Sequence, residues 1–433
     1  MANSETQLLA SKEQTYRRNF TYFLIDSILF TVGMGILGAT TVIPDFVRRL
    51  TDSEILIGLA GNIFTIGYTL PQLFIARHIV RYARKKWWFV GPNIPMRFVM
   101  LIFAAIIVWL GPARSGLILL AFFLCYTLFA FGDGLVGVPW TDLVGSSLDN
   151  RWRARMFGLS AAISGVIMLL IAPLIGNILG DDGLGFPNNY AILFGIAGVT
   201  FAASILPGLF IHELPGGKAV EKRPTMAEFL PQLGELLRDD MPFRAYIVAR
   251  MFTNLFMMAA PFYIGFATVD LGLSSEVVVP VLLAMQTAGS VIGALIYSWL
   301  GARNNALYIH VSLASSALLP ICALLAGSVG PWLLYVGFLV SGLAAGANLF
   351  MVFLNWLVGY AEPDKLPVYA GLSNTVTAVA SFVTPFIAGP IAQNWGYRPL
   401  FVLSLLMAFC ALYVTLRYFP KVEAAATTVP TQI

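Results

Sequence analysis

Twelve apolar runs, each long enough to cross a lipid bilayer as a helix, constrain this chain more than any other feature. About 20 residues of α-helix span about 30 Å of hydrocarbon. The runs lie at 20–43, 55–76, 88–110, 115–138, 157–179, 190–211, 244–267, 276–300, 307–327, 331–355, 368–390 and 398–419. Of the 433 residues, 58% are hydrophobic and only 11% are charged, too few to cover a soluble protein of this size. We therefore predict an all-α membrane protein with twelve transmembrane helices.

The basic residues indicate how these helices are oriented. If the N-terminus is cytoplasmic, the outer connections hold only Arg48, Arg49, Arg114 and Arg398 of the 26 lysines and arginines. Inner connections of membrane proteins carry an excess of Lys and Arg. This distribution predicts a multi-pass protein of the plasma (inner) membrane with both termini in the cytoplasm. Short basic loops do not form the continuous basic face that nucleic acids bind, so no nucleic-acid partner is expected.

Aromatic residues mark the expected membrane boundaries. Tryptophan is enriched where helices meet the lipid headgroups. Five tryptophans near span ends are therefore predicted to be interface anchors: Trp87, Trp88, Trp109, Trp332 and Trp356.

One long polar segment divides the chain into parts. The parts are an N-terminal cytoplasmic segment 1–19, a six-helix half 20–211, a cytoplasmic linker 212–243, a second six-helix half 244–419 and a cytoplasmic tail 420–433. Within the linker, Thr225 and Glu228 have the spacing of a helix capping box, and apolar residues follow at helical spacing. We predict an amphipathic helix there, lying on the inner membrane surface.

Short patterns in the first half recur in the second. The matches are Ser53-Glu54 with Ser275-Glu276, Gly67 with Gly289, Arg81 with Arg303, and Gly158-Leu-Ser160 with Gly371-Leu-Ser373. The first three share one offset, 222 positions. Two related halves of six helices are therefore predicted, a construction common in secondary transporters.

The twelve helices in two halves, the long central loop and the basic loop after helix two resemble the major facilitator superfamily. In that family this loop reads Gly, three variable residues, Asp-Arg, one variable residue, Gly and two basic residues. Here the basic positions are kept, whereas both glycines and the aspartate are missing. The resemblance implies a brace at the inner gate; the alternative is a loop that only fixes topology. The cytoplasmic gate candidates are Arg81, Arg84, Lys85, Asp142, Arg151, Arg155 and Arg303.

Four charged residues lie in the interior of the apolar runs rather than at their ends. They are Asp26 in helix one, Arg97 in helix three, Asp133 in helix four and Arg250 in helix seven. Each costs about 2.5–3.5 kcal/mol at a helix centre on insertion scales, so each must face protein or water. The resemblance implies that helices one, four, seven and ten line a central cavity. Three of the four charges lie on these helices, and Asn348 lies on helix ten.

The aspartates are the candidates for proton coupling. A carboxylate in a partly dry cavity can bind and release a proton as the cavity opens to each side. Asp26 is the first choice, because an acidic residue in helix one resembles multidrug antiporters of the superfamily, and Asp133 is the second. The alternative for Asp133 is a buried structural pair with Arg97.

The substrate-binding candidates are a basic residue and its polar and aromatic neighbours. Arg250 would bind an anionic substrate group or, alternatively, neutralise Asp26 or Asp133. The full set is Arg250, Asn254, Asn348, Tyr246, Phe30 and Tyr126.

These features predict a secondary active transporter that moves a small molecule by alternating access and is driven by protons. The preferred substrate class is amphipathic compounds, because the predicted cavity has few polar groups and is rich in aromatic residues. Ala172-Pro-Leu-Ile-Gly176 partly matches a motif of the family's antiporters and favours export; the alternative is a proline kink that serves helix packing. The alternatives are an uptake permease for a small anionic or polar solute, and a non-transporting assembly factor with the same fold. No enzyme activity, cofactor or metal is predicted, and one chain is expected to function as a monomer within the lipid bilayer.

Overall fold

The computed structural model describes residues 2–79, 84–180, 184–213, 238, 240–303, 305–346, 353, 356–357, 360–361 and 366–419. Within these ranges the chain is helical and has no β-strand. Ten helical segments there are long and apolar enough to cross a membrane, and Trp332–Gly346 is a shorter apolar helix. The prediction of an all-α membrane protein is confirmed. The helix expected at 225–237 and the 420–433 tail lie outside the described residues.

The chain forms two compact units. Unit 1 comprises Met1–Arg223 and Ser274–Pro280, and unit 2 comprises Pro224–Leu273 and Val281–Ile433. The helices of unit 1 are α1 (Ala2–Leu37), α2 (Val42–Arg48), α3 (Glu54–Ile79), α4 (Lys86–Arg97), α5 (Val99–Leu110), α6 (Ser115–Ser147), α7 (Asn150–Leu179) and α8 (Asn188–Phe210). Helix α1 packs against α7 and α8, while α6 packs against α3, α4 and α5.

Unit 2 holds the remaining helices and the greater part of α10. They are α9 (Met241–Met257), α10 (Ser275–Arg303), α11 (Asn305–Ser316), α12 (Leu318–Val329), α13 (Trp332–Gly346), α14 (Leu366–Trp395) and α15 (Tyr397–Tyr418). Helix α9 packs against α14 and α15, and α13 packs against α11 and α12. After α9 the chain continues through short helical turns to Asp270.

Several helix boundaries differ from the predicted runs for local reasons. Helix α1 begins at Ala2 rather than near residue 20, because the polar lead contains no glycine or proline to stop it. The predicted third span is divided between α4 and α5. Pro92 and Pro95 lie inside α4, and proline removes backbone donors and bends a helix. The division leaves Arg97 as the last residue of α4.

Glycines allow close helix crossings at equivalent places in the repeat. In unit 1, a Cβ atom on Gly67 of α3 would lie 2.7 Å from the Cβ of Ala130 on α6. In unit 2, a Cβ atom on Gly289 of α10 would fall on the carbonyl oxygen of Leu339 in α13. Small residues let helix backbones approach in this way. The repeat pair Gly67 and Gly289 therefore marks one close crossing in each unit.

Aromatic side chains fill much of both interiors. In unit 1, Phe46 of the short helix α2 packs edge-on against Phe122 and Phe194. In unit 2, Trp356 is 0% exposed and stacks on Tyr246 with ring centroids 5.3 Å apart. The prediction that Trp356 is an interface anchor is therefore wrong, because its ring is enclosed by other aromatic rings.

Candidate functional site

Unit 1 buries a cluster of three charged side chains. Asp26 of α1 is 4% exposed, Arg97 of α4 is 4% exposed and Asp133 of α6 is 7% exposed. The Nη2 atom of Arg97 lies 3.1 Å from Oδ1 of Asp133. Arg97 also acts electrostatically on Asp26. The guanidinium therefore pairs directly with Asp133 and acts on Asp26 only through its charge.

Glycines beside Asp133 explain how α6 approaches its neighbours. A Cβ atom on Gly132 would collide with the side chain of Met96, which precedes Arg97 on α4. A Cβ atom on Gly134 would collide with the backbone carbonyl of Tyr68 on α3. Both collisions are avoided because glycine has no side chain. The Gly-Asp-Gly sequence therefore holds the Asp133 carboxylate against Arg97.

Neutral partners orient the rest of the cluster. Nε of Arg97 donates a hydrogen bond of 2.9 Å to Oδ1 of Asn93, one turn earlier on α4. The guanidinium lies over the ring of Phe30 at 4.2 Å, a cation–π contact. Nε1 of Trp140, on α6, donates a hydrogen bond of 3.0 Å to Oδ2 of Asp26. Sequence reasoning missed Asn93 and Trp140, although each lies at helical spacing from a charged residue.

The predicted residues of unit 1 are not all brought together. The alternative of an Asp133–Arg97 pair describes a contact that is present, and Phe30 touches the same guanidinium. Tyr126 instead is 0% exposed and lies between the rings of Phe122 and Phe129. Its ring packs in the helix bundle, so a substrate could reach it only after these rings moved.

Unit 2 places three of the predicted binding residues, Tyr246, Arg250 and Asn254, as a polar stripe of α9 against a matching stripe on α14. The hydroxyl groups of Tyr246 and Ser373 lie 3.2 Å apart. Nη2 of Arg250 donates to Oγ1 of Thr377 at 2.7 Å, and Oγ of Ser381 donates to Oδ1 of Asn254 at 3.3 Å. Both stripes advance four residues at a time, which keeps them on one face of each helix.

Phe353 completes the surroundings of Arg250. The guanidinium lies over its ring, 5.4 Å from the centroid, and the side chain as a whole is 5% exposed. Sequence reasoning missed the serine and threonine stripe on α14, although its spacing of four was visible in the sequence. Asn348 lies outside the described residues.

The gate candidates form one described ion pair. Nζ of Lys85 lies 2.6 Å from Oδ2 of Asp142. Glu213, which was not predicted, accepts hydrogen bonds from the backbone N–H groups of Lys85 and Lys86, at the start of α4. This carboxylate connects the end of the first half to α4.

The other gate candidates that the structure describes do not join this ion pair. Arg84, Arg151 and Arg155 are exposed, and Arg155 lies over the ring of Trp152 at 5.8 Å. Arg81 and the side chain of Arg303 lie outside the described part of the chain.

A second carboxylate, that of Asp240, accepts hydrogen bonds at the start of α9. Asp240 caps the helix by accepting from the backbone N–H of Phe243, and it also accepts from the hydroxyl groups of Tyr360 and Tyr369, each at 2.6 Å. Burial and the Asp240 carboxylate raise the pKa of Tyr360 above its ordinary value. The Tyr360 hydroxyl therefore keeps its proton, and the hydrogen bond persists, throughout the neutral pH range.

Comparison with known proteins gives the family. The model of the Major Facilitator Superfamily matches residues 25–329 and 243–432. No significant match is found among curated protein sequences.

Solved structures share the fold over most of the chain. The nucleoside transporter NupG, in a mutant form, superposes with a TM-score of 0.71 at 12% identity, covering 93% of this chain and 100% of its own. A D-xylose-proton symporter superposes with a TM-score of 0.70 at 12% identity, covering 94% of this chain and 99% of its own. A bacterial homologue of the iron transporter ferroportin, in an inward-facing state, superposes with a TM-score of 0.66 at 13% identity. The match covers 93% of this chain and 98% of that chain. At these identities the likeness shows the fold alone, and it confirms the predicted two-half, twelve-helix architecture.

Because the family model covers nearly the whole chain and the fold is that of solved transporters, this chain belongs to the Major Facilitator Superfamily.

Proposed function

We propose that this protein is a secondary active transporter that moves a small molecule by alternating access and is coupled to protons at Asp26. The observation that carries the proposal is the burial of Asp26 and Asp133 around a single guanidinium, that of Arg97. With all three ionised, the cluster holds one net negative charge in apolar surroundings, which is costly. A single proton removes that charge. The cluster is therefore suited to bind one proton and to release it when water reaches the site.

The contacts favour Asp26 over Asp133 as the proton carrier. Asp133 has a direct ion pair with Arg97 at 3.1 Å, and such a pair favours the charged carboxylate. Asp26 is hydrogen-bonded by the neutral indole of Trp140. A neutral donor stabilises a carboxylate less than a cation does. Asp26 should accordingly take up the proton first.

Amphipathic compounds, exported in exchange for protons, are the proposed substrates. Aromatic rings lie directly on the buried arginine of each unit, Phe30 on Arg97 and Phe353 on Arg250. Rings beside buried charges suit molecules that combine an apolar body with a charged group. We propose that the protein lies in the plasma (inner) membrane with both termini cytoplasmic, and that one chain is sufficient.

Uptake of a small anionic solute is the second candidate. It is favoured by Arg250, whose buried guanidinium donates to the neutral hydroxyl of Thr377. A buried guanidinium can recognise a carboxylate or phosphate group through charge-assisted hydrogen bonds. A non-transporting assembly factor is the third candidate, and it requires no ligand at either arginine.

The test measures the melting temperature of three proteins purified in detergent: the wild type, Asp26→Asn and Asp52→Asn. Asp52 is an exposed aspartate and serves as the matched control. The probes are tetraphenylphosphonium, benzoate, glucose and glycine. A ligand that binds only the folded state raises the melting temperature. At one hundred times its Kd it adds about 2.7 kcal/mol to the free energy of unfolding. We expect tetraphenylphosphonium to stabilise wild type and Asp52→Asn, to release about one proton per protein into a weakly buffered solution, and to do neither with Asp26→Asn.

Other outcomes would redirect the proposal. Stabilisation by benzoate alone, unaffected by Asp26→Asn and lost in Arg250→Gln, would replace efflux by anion uptake. If no probe shifted the melting temperature and no proton were released, proton-coupled transport of these classes would be rejected in favour of the assembly role.

A further inference from the structure

We propose that Trp140 is a positioning residue that sets the pH at which Asp26 exchanges its proton. This inference rests on the proposed function of Asp26 and adds a second residue to the same site. Trp140 lies seven residues after Asp133 on α6, which is two helical turns. One face of α6 therefore presents both an ion-pair partner for Arg97 and a hydrogen-bond donor for Asp26.

Packing restricts the indole ring to this orientation. The ring meets Phe157 of α7 nearly edge-on, with centroids 6.0 Å apart. It also packs against an apolar cluster of unit 1 that includes Phe23, Val136 and Leu143. Phe23 lies on α1, one turn before Asp26. Contacts with three helices thus keep Nε1 directed at the Asp26 carboxylate.

The chemistry of the indole makes this contact selective for one protonation state. The indole nitrogen carries a hydrogen and can only donate. Its hydrogen bond is stronger to a charged carboxylate oxygen than to a neutral carboxylic acid. Trp140 therefore stabilises ionised Asp26 and opposes protonation.

Removing the indole donor should let Asp26 bind its proton more readily. In Trp140→Phe a ring remains in the packed position, but the donor is lost. Hydrogen bonds to charged groups typically change proton affinity by about tenfold or more. The midpoint for protonation of Asp26 should accordingly move to higher pH by about one unit.

The measurement is an infrared titration of the purified full-length protein, which needs no substrate. The protonated-carboxyl band that disappears in Asp26→Asn reports Asp26. Trp152→Phe is the matched control. The indole of Trp152 also donates a hydrogen bond to a carboxylate, that of Glu13, at 3.1 Å. Glu13 does not belong to the charged cluster of Asp26, Arg97 and Asp133. We expect the midpoint to rise in Trp140→Phe and to stay unchanged in Trp152→Phe.

Each outcome decides a separate point. An unchanged midpoint in Trp140→Phe overturns the role of Trp140 while leaving proton coupling at Asp26 intact. If Asp26→Asn removes no band at any pH, Asp26 does not titrate and the proposed coupling fails instead.

A second measurement covers the case in which Trp140→Phe folds poorly. Melting temperatures of wild type, Asp26→Asn, Trp140→Phe and the double variant form a double-mutant cycle. A hydrogen bond between the two side chains predicts that Trp140→Phe costs less in the Asp26→Asn background than in wild type. Equal costs in both backgrounds would overturn the proposal.

Discussion

At the scale of single residues, the number of charges around Arg97 matters more than any one contact. A buried ion pair is not a reliable source of stability, since desolvation offsets much of its attraction. Loss of one member is different, because the remaining charge is left buried without compensation. Arg97 is ion-paired with Asp133, and its charge also acts on Asp26. Its removal should therefore be among the most damaging substitutions in unit 1.

We predict that Arg97→Gln lowers the free energy of unfolding by about 3–5 kcal/mol, as measured for other buried pairs that lose one member. Arg97→Gln combined with Asp133→Asn should recover much of that loss, because one unpaired carboxylate is removed with the arginine. Thermal unfolding in detergent at neutral pH gives both values. The control is Arg151→Gln, which changes an exposed arginine. A double variant no more stable than Arg97→Gln would show that the guanidinium acts through its Phe30 contact instead.

At the scale of helices, the sequence predicts what lies within one helix better than what lies between helices. Apolar length locates the ten segments that could cross a membrane in the described part of the chain. A spacing of four identifies the stripe of Tyr246, Arg250 and Asn254. The partner stripe on α14 depends on which helices pack together, which the periodicity of one helix does not contain. The same limit explains Trp356, whose position near a span end is compatible with both an interface and an aromatic core.

The close crossing of α10 and α13 gives a prediction about helices. A methyl group at Gly289 would meet backbone atoms of α13, which cannot turn aside as a side chain can. Gly289→Ala should therefore separate the two helices and lower the melting temperature. The expected loss in the free energy of unfolding is roughly 1–3 kcal/mol, which is typical of overpacking. Gly158→Ala is the matched control, because a Cβ there would meet no described atom within 4 Å. It should be neutral or slightly stabilising, since alanine favours helix more than glycine does.

At the scale of the whole molecule, the two compact units do not follow the chain in a simple order. Ser274–Pro280 belongs to unit 1 although the segments on both sides of it belong to unit 2. Within unit 1, Oγ of Ser275 donates to Oδ1 of Asp45 at 2.8 Å, and Gly176 leaves room for Pro280. The sequence repeat predicts two halves from local pairs such as Ser53 and Ser275. It does not predict this assignment, because contacts distant in sequence decide it.

Membrane orientation is the whole-molecule property that charge predicts most directly. The proposed outer connections around Arg49, Arg114 and Arg398 are poor in Lys and Arg, whereas the inner ones around Arg17 and Arg151 are rich. Alkaline phosphatase, which is active only outside the cytoplasm, should be active when inserted at Gly111–Pro112 and inactive when fused after Ile433. Green fluorescent protein fused after Ile433 should fluoresce. The reverse pattern would place Lys85 and Asp142 on the outer side, and their ion pair could then no longer belong to a cytoplasmic gate.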